Sequence, residues 1–258
     1  MPNLRSLLTH LRMPLALAVA TLVLVSTDVG TGVGPLPPVG HTASATPSPS
    51  PTPPAPVPER RTVQPLRILF LGASITSGFF STGTASAYPA VVVDRLRARG
   101  DVVQPTVFAQ PGVEVGQTLA WPVPAGQNVV VVQLITNDFW HSVPLSTYRD
   151  GYDQLLTRIQ TASPRARLVC LGSWDRSQAV NQRGLSASAY DATTRTSCQR
   201  RAGVYVPLAQ LYAQAAARGP AGVATPFGTA DEVHPNDSGQ GQIAAAVLAG
   251  LDGEAAPE

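Results

Sequence analysis

Two short stretches, far apart in the chain, carry residue types that together could draw a proton off a serine. The first is Leu66-Arg67-Ile68-Leu69-Phe70-Leu71-Gly72-Ala73-Ser74-Ile75-Thr76, an apolar run that stops at a glycine with a serine two residues on. The second is Asp231-Glu232-Val233-His234-Pro235-Asn236, just ahead of a C-terminal helical pattern. An acidic residue three positions before a histidine can fold back within one turn and accept the Nδ1 proton. That fixes the tautomer whose Nε2 takes a proton from a hydroxyl. Glu232 is the rival carboxylate, but a spacing of two points it away in most turn geometries. Each stretch alone has a plain structural explanation: Ser74 as a helix cap, Asp-x-x-His as a cap or surface pair. Together they describe a nucleophile, a base and an orienting acid in Ser74, His234 and Asp231.

Attack by a serine also needs donors aimed at the developing oxyanion, each worth about 10²–10³ in rate. Two segments are placed to supply them. One is Gln110-Pro111-Gly112-Val113-Glu114-Val115-Gly116, where a glycine amide can face a ligand without a Cβ in the way; the other is Thr136-Asn137-Asp138, with a side-chain amide at Asn137.

Those residues need a scaffold that brings several strand ends to one edge. The strand candidates are Arg67–Leu71, Val102–Ala109, Asn128–Ile135, Ala166–Leu171 and Gly203–Val206. Helical patterns fall at Ser86–Arg99, Ser146–Thr161, Ser186–Arg201, Leu208–Ala217 and Asp237–Leu251. The run Val129-Val-Val-Val-Gln-Leu-Ile135 is nearly all apolar and β-branched, the composition of a strand buried on both faces of a parallel sheet. Strands alternating with helices predict a three-layer α/β/α domain with about five parallel strands. Such sheets bind ligands outside the carboxyl ends of their strands. Ser74, Gly112 and Asn137 each follow one of the first three.

The order Gly-x-Ser, Gly, Asn-Asp, Asp-x-x-His-Pro-Asn resembles the SGNH (GDSL-type) hydrolases, a flavodoxin-like α/β family of esterases and lipases. The resemblance spans about residues 66 to 251. It implies Ser74 as nucleophile with its own amide as one oxyanion donor, Gly112 as the second amide, Asn137 as the third donor, and His234 as base oriented by Asp231. Gly116 is the alternative to Gly112. Two positions depart from the family pattern: Ala73 stands where an aspartate ordinarily braces the nucleophile turn, and Ile135 where the third block usually has glycine. Ala73 is expected to leave the turn less firmly braced, and Ile135 to add bulk beside the oxyanion region. Thr76 in place of glycine argues against the Gly-x-Ser-x-Gly elbow of the α/β-hydrolases.

The chain has 258 residues, 44% hydrophobic and 13% charged, enough for one sizeable core. The formal net charge is +2, every basic side chain is arginine, and no segment concentrates them, so nucleic acid is not an expected partner. Arg5 and Arg12 precede an apolar stretch from Met13 to Ser26, the pattern of an export signal, with an uncleaved signal-anchor as the alternative. The run Thr46-Pro-Ser-Pro-Ser-Pro-Thr-Pro-Pro-Ala-Pro favours polyproline II and reads as a semi-rigid spacer. The expected organisation is residues 1–27 as signal peptide or anchor, 28–64 as linker and 65–258 as the hydrolase-like domain. Membrane or cell-wall attachment through the N-terminus, a secreted or envelope location and a monomeric state go with it. Cys170 and Cys198 fall in adjacent elements of an exported chain and are expected to pair. Their spacing lacks any short zinc-ligand pattern, and no metal or organic cofactor is expected.

Weaker candidates surround the site. Trp140 and His141 follow the Asn137 turn and are candidates to line a pocket, as are Trp174 and Asp175 at the end of the fourth strand. Phe79 and Phe80, after the Ser74 turn, are further candidates to line it, with core packing as the default expectation, and Arg200 and Arg201 are expected to complement a helix C-terminus. The function expected from these residues is an exported serine esterase acting through an acyl-enzyme. Its substrate is a small-molecule or carbohydrate ester: acetyl or short acyl groups on carbohydrate, or lipid. A catalytically impaired glycan-binding domain and an acyltransferase to a sugar hydroxyl are the alternatives.

Overall fold

The computed structural model of the protein describes residues 64–253. The export segment expected at 1–27, and all of the spacer expected at 28–64 except Gln64, lie outside the described residues. Five parallel strands form the central sheet: β1 (Leu66–Gly72), β2 (Val103–Ala109), β3 (Val129–Gln133), β4 (Arg167–Leu171) and β5 (Val204–Val206), in the order β2-β1-β3-β4-β5. This doubly wound order reverses direction beside β1, and the crevice above such a switch point is where open α/β sheets hold ligands.

Strand alternation decides which helices cover which face. Ile68 and Phe70 of β1, with Val129 and Val131 of β3, pack against α1 (Tyr88–Ala98) and α7 (Asp237–Asp252). Leu69, Leu71, Val130 and Val132 face the other way, onto α4 (Leu145–Ala162) and α5 (Ala187–Gln199). β1 is solvent-free from Ile68 to Leu71, which is why it reads as an unbroken apolar run. β2 is the outer strand, with Pro105 inside it opposite Ile68; its Val107 is exposed, as is Val102 just before it. The three-layer α/β/α fold is thus the expected one.

Two expectations change in detail. β3 stops at Gln133 because Thr136 already begins a short helix, α3 (Thr136–Trp140). The helix expected over Leu208–Ala217 is broken into α6 (Ala209–Ala213) and a 3₁₀ turn at Ala215–Ala217, with Gln214 extended between them. The Asn236 side-chain amide collects the carbonyls of Ala216, Arg218 and Gly219 at 3.0, 3.1 and 2.9 Å, and its backbone N–H donates to Ala217 at 3.1 Å. Those carbonyls serve the His234 loop instead of continuing a helix.

Cys170 of β4 and Cys198 of α5 form a disulfide with Cα atoms 6.2 Å apart. It closes a loop with a sequence separation of 28, for which chain entropy gives about 3–4 kcal/mol. The paired Cys170→Ala, Cys198→Ala variant is therefore expected to melt on the order of 10 °C lower. Scanning calorimetry of both proteins checks this, and equal midpoints would show the bond to be dispensable. Arg200 and Arg201 do more than complement the end of α5. Arg201 donates to Ser197 O at 3.0 Å, and both guanidinium groups also reach Asp153 of α4 at 2.8 Å, tying the two helices together.

Candidate active site

The Ser74 turn starts where β1 ends. A Cβ on Gly72 would lie 1.9 Å from Thr76 Oγ1 and 3.0 Å from Gln133 O, so only glycine lets Thr76 fold back over the strand end. Thr76 Oγ1 lies 3.0 Å from the Tyr88 hydroxyl, and burial pushes the Tyr88 pKa well above the ordinary phenol value. Ser74 O accepts from Phe79 N at 2.9 Å and Ser77 Oγ at 2.8 Å. Gln240 of α7 accepts from Tyr88 N at 2.9 Å and donates to Ile75 O at 3.1 Å. Ala73 therefore does not leave the turn loose: it packs in the apolar cluster below, and Thr76, Ser77 and Gln240 supply the bracing. Gln240 is so remote in sequence that nothing local marks its part in that bracing.

The Asp231–Asn236 loop meets this turn. His234 Nε2 lies 3.0 Å from Ser74 Oγ, and His234 Nδ1 lies 2.8 Å from Asp231 Oδ2. Asp231 Oδ1 also accepts from the amides of Val233 at 2.9 Å and His234 at 2.8 Å. Burial alone would raise the Asp231 carboxyl, but the bonds from the His234 amide and ring and the Val233 amide outweigh it and hold its pKa below the ordinary value. Glu232 faces solvent. The loop is fixed from behind, because Trp174 Nε1 donates to Val233 O at 2.7 Å and Arg218 Nη1 to Glu232 O at 2.9 Å. Trp174 is thus no pocket wall: it is 1% exposed and packs edge-on against Tyr212. Asp175 beside it is also buried, and burial raises its pKa.

The two expected donor segments adjoin the turn. Gln110 N donates to Gly72 O at 3.3 Å, and Gly112 follows with φ 79°, exposed and open on the side where a Cβ would sit. Asn137 Nδ2 donates to Val113 O at 2.8 Å, so one of its two N–H groups locks the Gly112 turn and the other remains. Gly116 lies inside the short helix α2 (Val115–Thr118), beside Gly151 of α4, and so not in the turn that carries Gly112. Ile135 does not crowd the site; it is 1% exposed and belongs to the core facing α4. His141 pairs with Glu114 at the surface, Nδ1 to Oε1 2.8 Å, and Trp140 is 52% exposed.

Asp138 holds these parts in register. Its carboxyl oxygens accept from Val115 N at 3.2 and 3.1 Å, joining α3 to α2. Burial raises its pKa from 3.8 to about 7, partly offset by that amide bond. The folded protein therefore holds a proton that the unfolded chain has released, so stability falls as pH rises from about 4 to about 7. Asp138→Asn is expected to flatten that decline, gaining on the wild type as pH rises through the window. Melting midpoints of both proteins across that range test it.

Phe79 and Phe80 leave the core. Their rings stand 5.4 and 5.1 Å from the His234 ring, and Phe227 lies 5.7 Å from Phe79. Phe227 caps the hairpin of β6 (Ala224–Thr225) and β7 (Gly228–Thr229). The run Thr225-Pro226-Phe227-Gly228 has the proline and glycine placement of a turn, the one sequence signal that marked it.

A comparison with protein-family models matches residues 70–242 to the GDSL-like Lipase/Acylhydrolase family. The chain belongs to the GDSL-like lipase/acylhydrolase family. As a member of it the protein is a carboxylic ester hydrolase, and the matched span holds Ser74, Gly112, Asn137, Asp231 and His234. Solved structures share the fold of this lipase/acylhydrolase. A carbohydrate esterase family 2 enzyme with its carbohydrate-binding domain, from Corynascus thermopiles (Myceliophthora fergusii), aligns with TM-score 0.54 at 19% identity, covering 78% of this chain and 69% of that one. A two-domain esterase described as active on acetylated mannans gives 0.53 at 19%, over 75% and 52% of the chains. An extracellular lipase from Streptomyces rimosus gives 0.52 at 18%, over 73% and 99%. A comparison with curated proteins found no match.

Proposed function

We propose that this lipase/acylhydrolase is an exported serine esterase that removes acetyl or other short acyl groups from a carbohydrate or lipid alcohol. The observation that carries the reading is the continuous path from Ser74 Oγ to His234 Nε2 at 3.0 Å and from His234 Nδ1 to Asp231 Oδ2 at 2.8 Å. Ser74 Oγ attacks the ester carbonyl carbon while its proton passes to His234 Nε2. Asp231, held ionised, stabilises the imidazolium. The carbonyl oxygen gains the negative charge and is met by the Ser74 and Gly112 amides and the free N–H of Asn137. The carbon–oxygen bond to the alcohol then breaks, and His234 returns the proton to the departing oxygen. Water attacks the acyl-enzyme by the same route, with His234 again the base.

Two of the fold neighbours are described as esterases of carbohydrates or acetylated mannans, which favours short acyl groups on a carbohydrate. Export is supported by the disulfide, which persists in oxidising compartments. The same reading takes residues 1–27 as the signal, 28–64 as the spacer to a wall or membrane attachment, and the domain from residue 65 as a working monomer. The test is Ser74-dependent release from p-nitrophenyl esters of graded chain length, with a fluorophosphonate as covalent probe. The expected result is acetate turned over faster than octanoate and the label on the Ser74 peptide. No label and no release at any length would remove the enzyme mechanism.

A further inference from the structure

We propose that Phe79, Phe80 and Phe227 form the subsite for the alcohol half of the ester, and that this half presents a flat apolar ring face. The inference rests on the reading of His234 as the proton carrier and deepens it. His234 must hand its proton to the departing alcohol oxygen, so whatever packs on the imidazole lies beside the alcohol, not the acyl group. Phe79 and Phe80 stand edge-on to that imidazole at 5.4 and 5.1 Å, and Phe227 extends the row at 5.7 Å from Phe79. The expected oxyanion donors stand elsewhere: Gly112 lies in the loop before α2 and Asn137 in α3, whereas the phenylalanine loop is anchored to α7.

The row is built, not incidental. Phe80 has φ 65°, a left-handed conformation that costs a phenylalanine energy and persists only where the surroundings enforce it. The buried Ser81 hydroxyl bonds to Gly78 O at 2.6 Å and Gly83 O at 2.9 Å, and Thr82 N and Oγ1 both donate to Asp237 at the start of α7. All three rings are half-buried. They carry no hydroxyl or ring N–H, so they recognise a partner by apolar contact and ring stacking. An aryl group and the C–H face of a pyranose share that chemistry.

The test keeps the acyl group constant and varies the alcohol, comparing kcat/KM for ethyl acetate, benzyl acetate and methyl 6-O-acetylglucopyranoside. The wild type is expected to favour at least one ring-bearing acetate over ethyl acetate by about tenfold or more, equivalent to about 1.4 kcal/mol. Which ring ester leads identifies the source of the ring. Phe227→Ala, at an exposed hairpin tip, and the Phe79→Ala, Phe227→Ala pair are expected to bring that ratio toward one. The ratio of ethyl octanoate to ethyl acetate stays as in the wild type. A wild type without ring preference, or variants that shift the acyl ratio instead, would overturn the subsite while leaving the esterase reading intact. Absence of Ser74-dependent hydrolysis of all four esters would instead remove the esterase reading and this inference with it.

Discussion

Ser74→Ala is expected to lower kcat on p-nitrophenyl acetate by about 10⁴-fold or more while the melting midpoint stays within error of the wild type. The asymmetry follows from where the hydroxyl sits. Ser74 Oγ bonds His234 Nε2, whereas the turn is held by the backbone of Ser74 and by Ser77, Thr76 and Gln240, none of which alanine disturbs. Loss of the hydroxyl removes the proposed attacking atom and no part of the scaffold. Steady-state kinetics with calorimetry on the same preparation reads both quantities. Activity persisting in a folded variant would mean that another nucleophile does the work.

Asp231→Asn is expected to cost nearly as much, about 10⁴-fold in kcat, through a tautomer and not through a lost contact. In the wild type Oδ1 accepts the Val233 and His234 amides and Oδ2 faces Nδ1. An asparagine keeps its oxygen on the two amides, because only an acceptor satisfies them, and so turns its NH₂ toward the ring. Nδ1 must then accept, the ring proton moves to Nε2, and Nε2 can no longer take the proton of Ser74. The loop geometry is retained and catalysis is not. Kinetics of the variant, with imidazole nitrogen shifts by NMR to read the tautomer, separates this from simple unfolding; a fully active variant would assign the orienting role elsewhere.

What could be read from the sequence was local. β1 and the Gly72 turn show as an apolar run ended by glycine, and the Asp231–His234 pairing shows because three residues make one turn. The five-strand sheet shows because runs such as Val129–Gln133 alternate with helical patterns. What could not be read depends on which way a side chain faces once the layers meet. Ile135 was expected beside the site and points into the core, since the start of α3 turns the chain there. For Phe79 and Phe80 core packing is the default and pocket lining the alternative; they stand at His234, because Gly78 and Phe80 take left-handed backbone and turn the loop back over the site. Trp174 lies at the expected strand end but faces inward, where its ring N–H holds the histidine loop. The bracing of the Ser74 turn by Gln240 joins residues separated by most of the domain, and spacing carries no trace of it.

The outer strand of the sheet carries a further consequence. Among the described residues β2 offers the long free margin of this sheet, since β5 at the opposite side has only three residues. A free margin with open amides invites the strand of another molecule to zip onto it, which is the first step of many aggregates. Pro105, the third of the seven residues of β2, has no N–H to offer, and a proline within a sheet is tolerated where its nitrogen faces away from the neighbouring strand. An intruding strand would find its ladder interrupted there. A residue that withholds a donor from the sheet thus makes its margin a poor template for a second molecule.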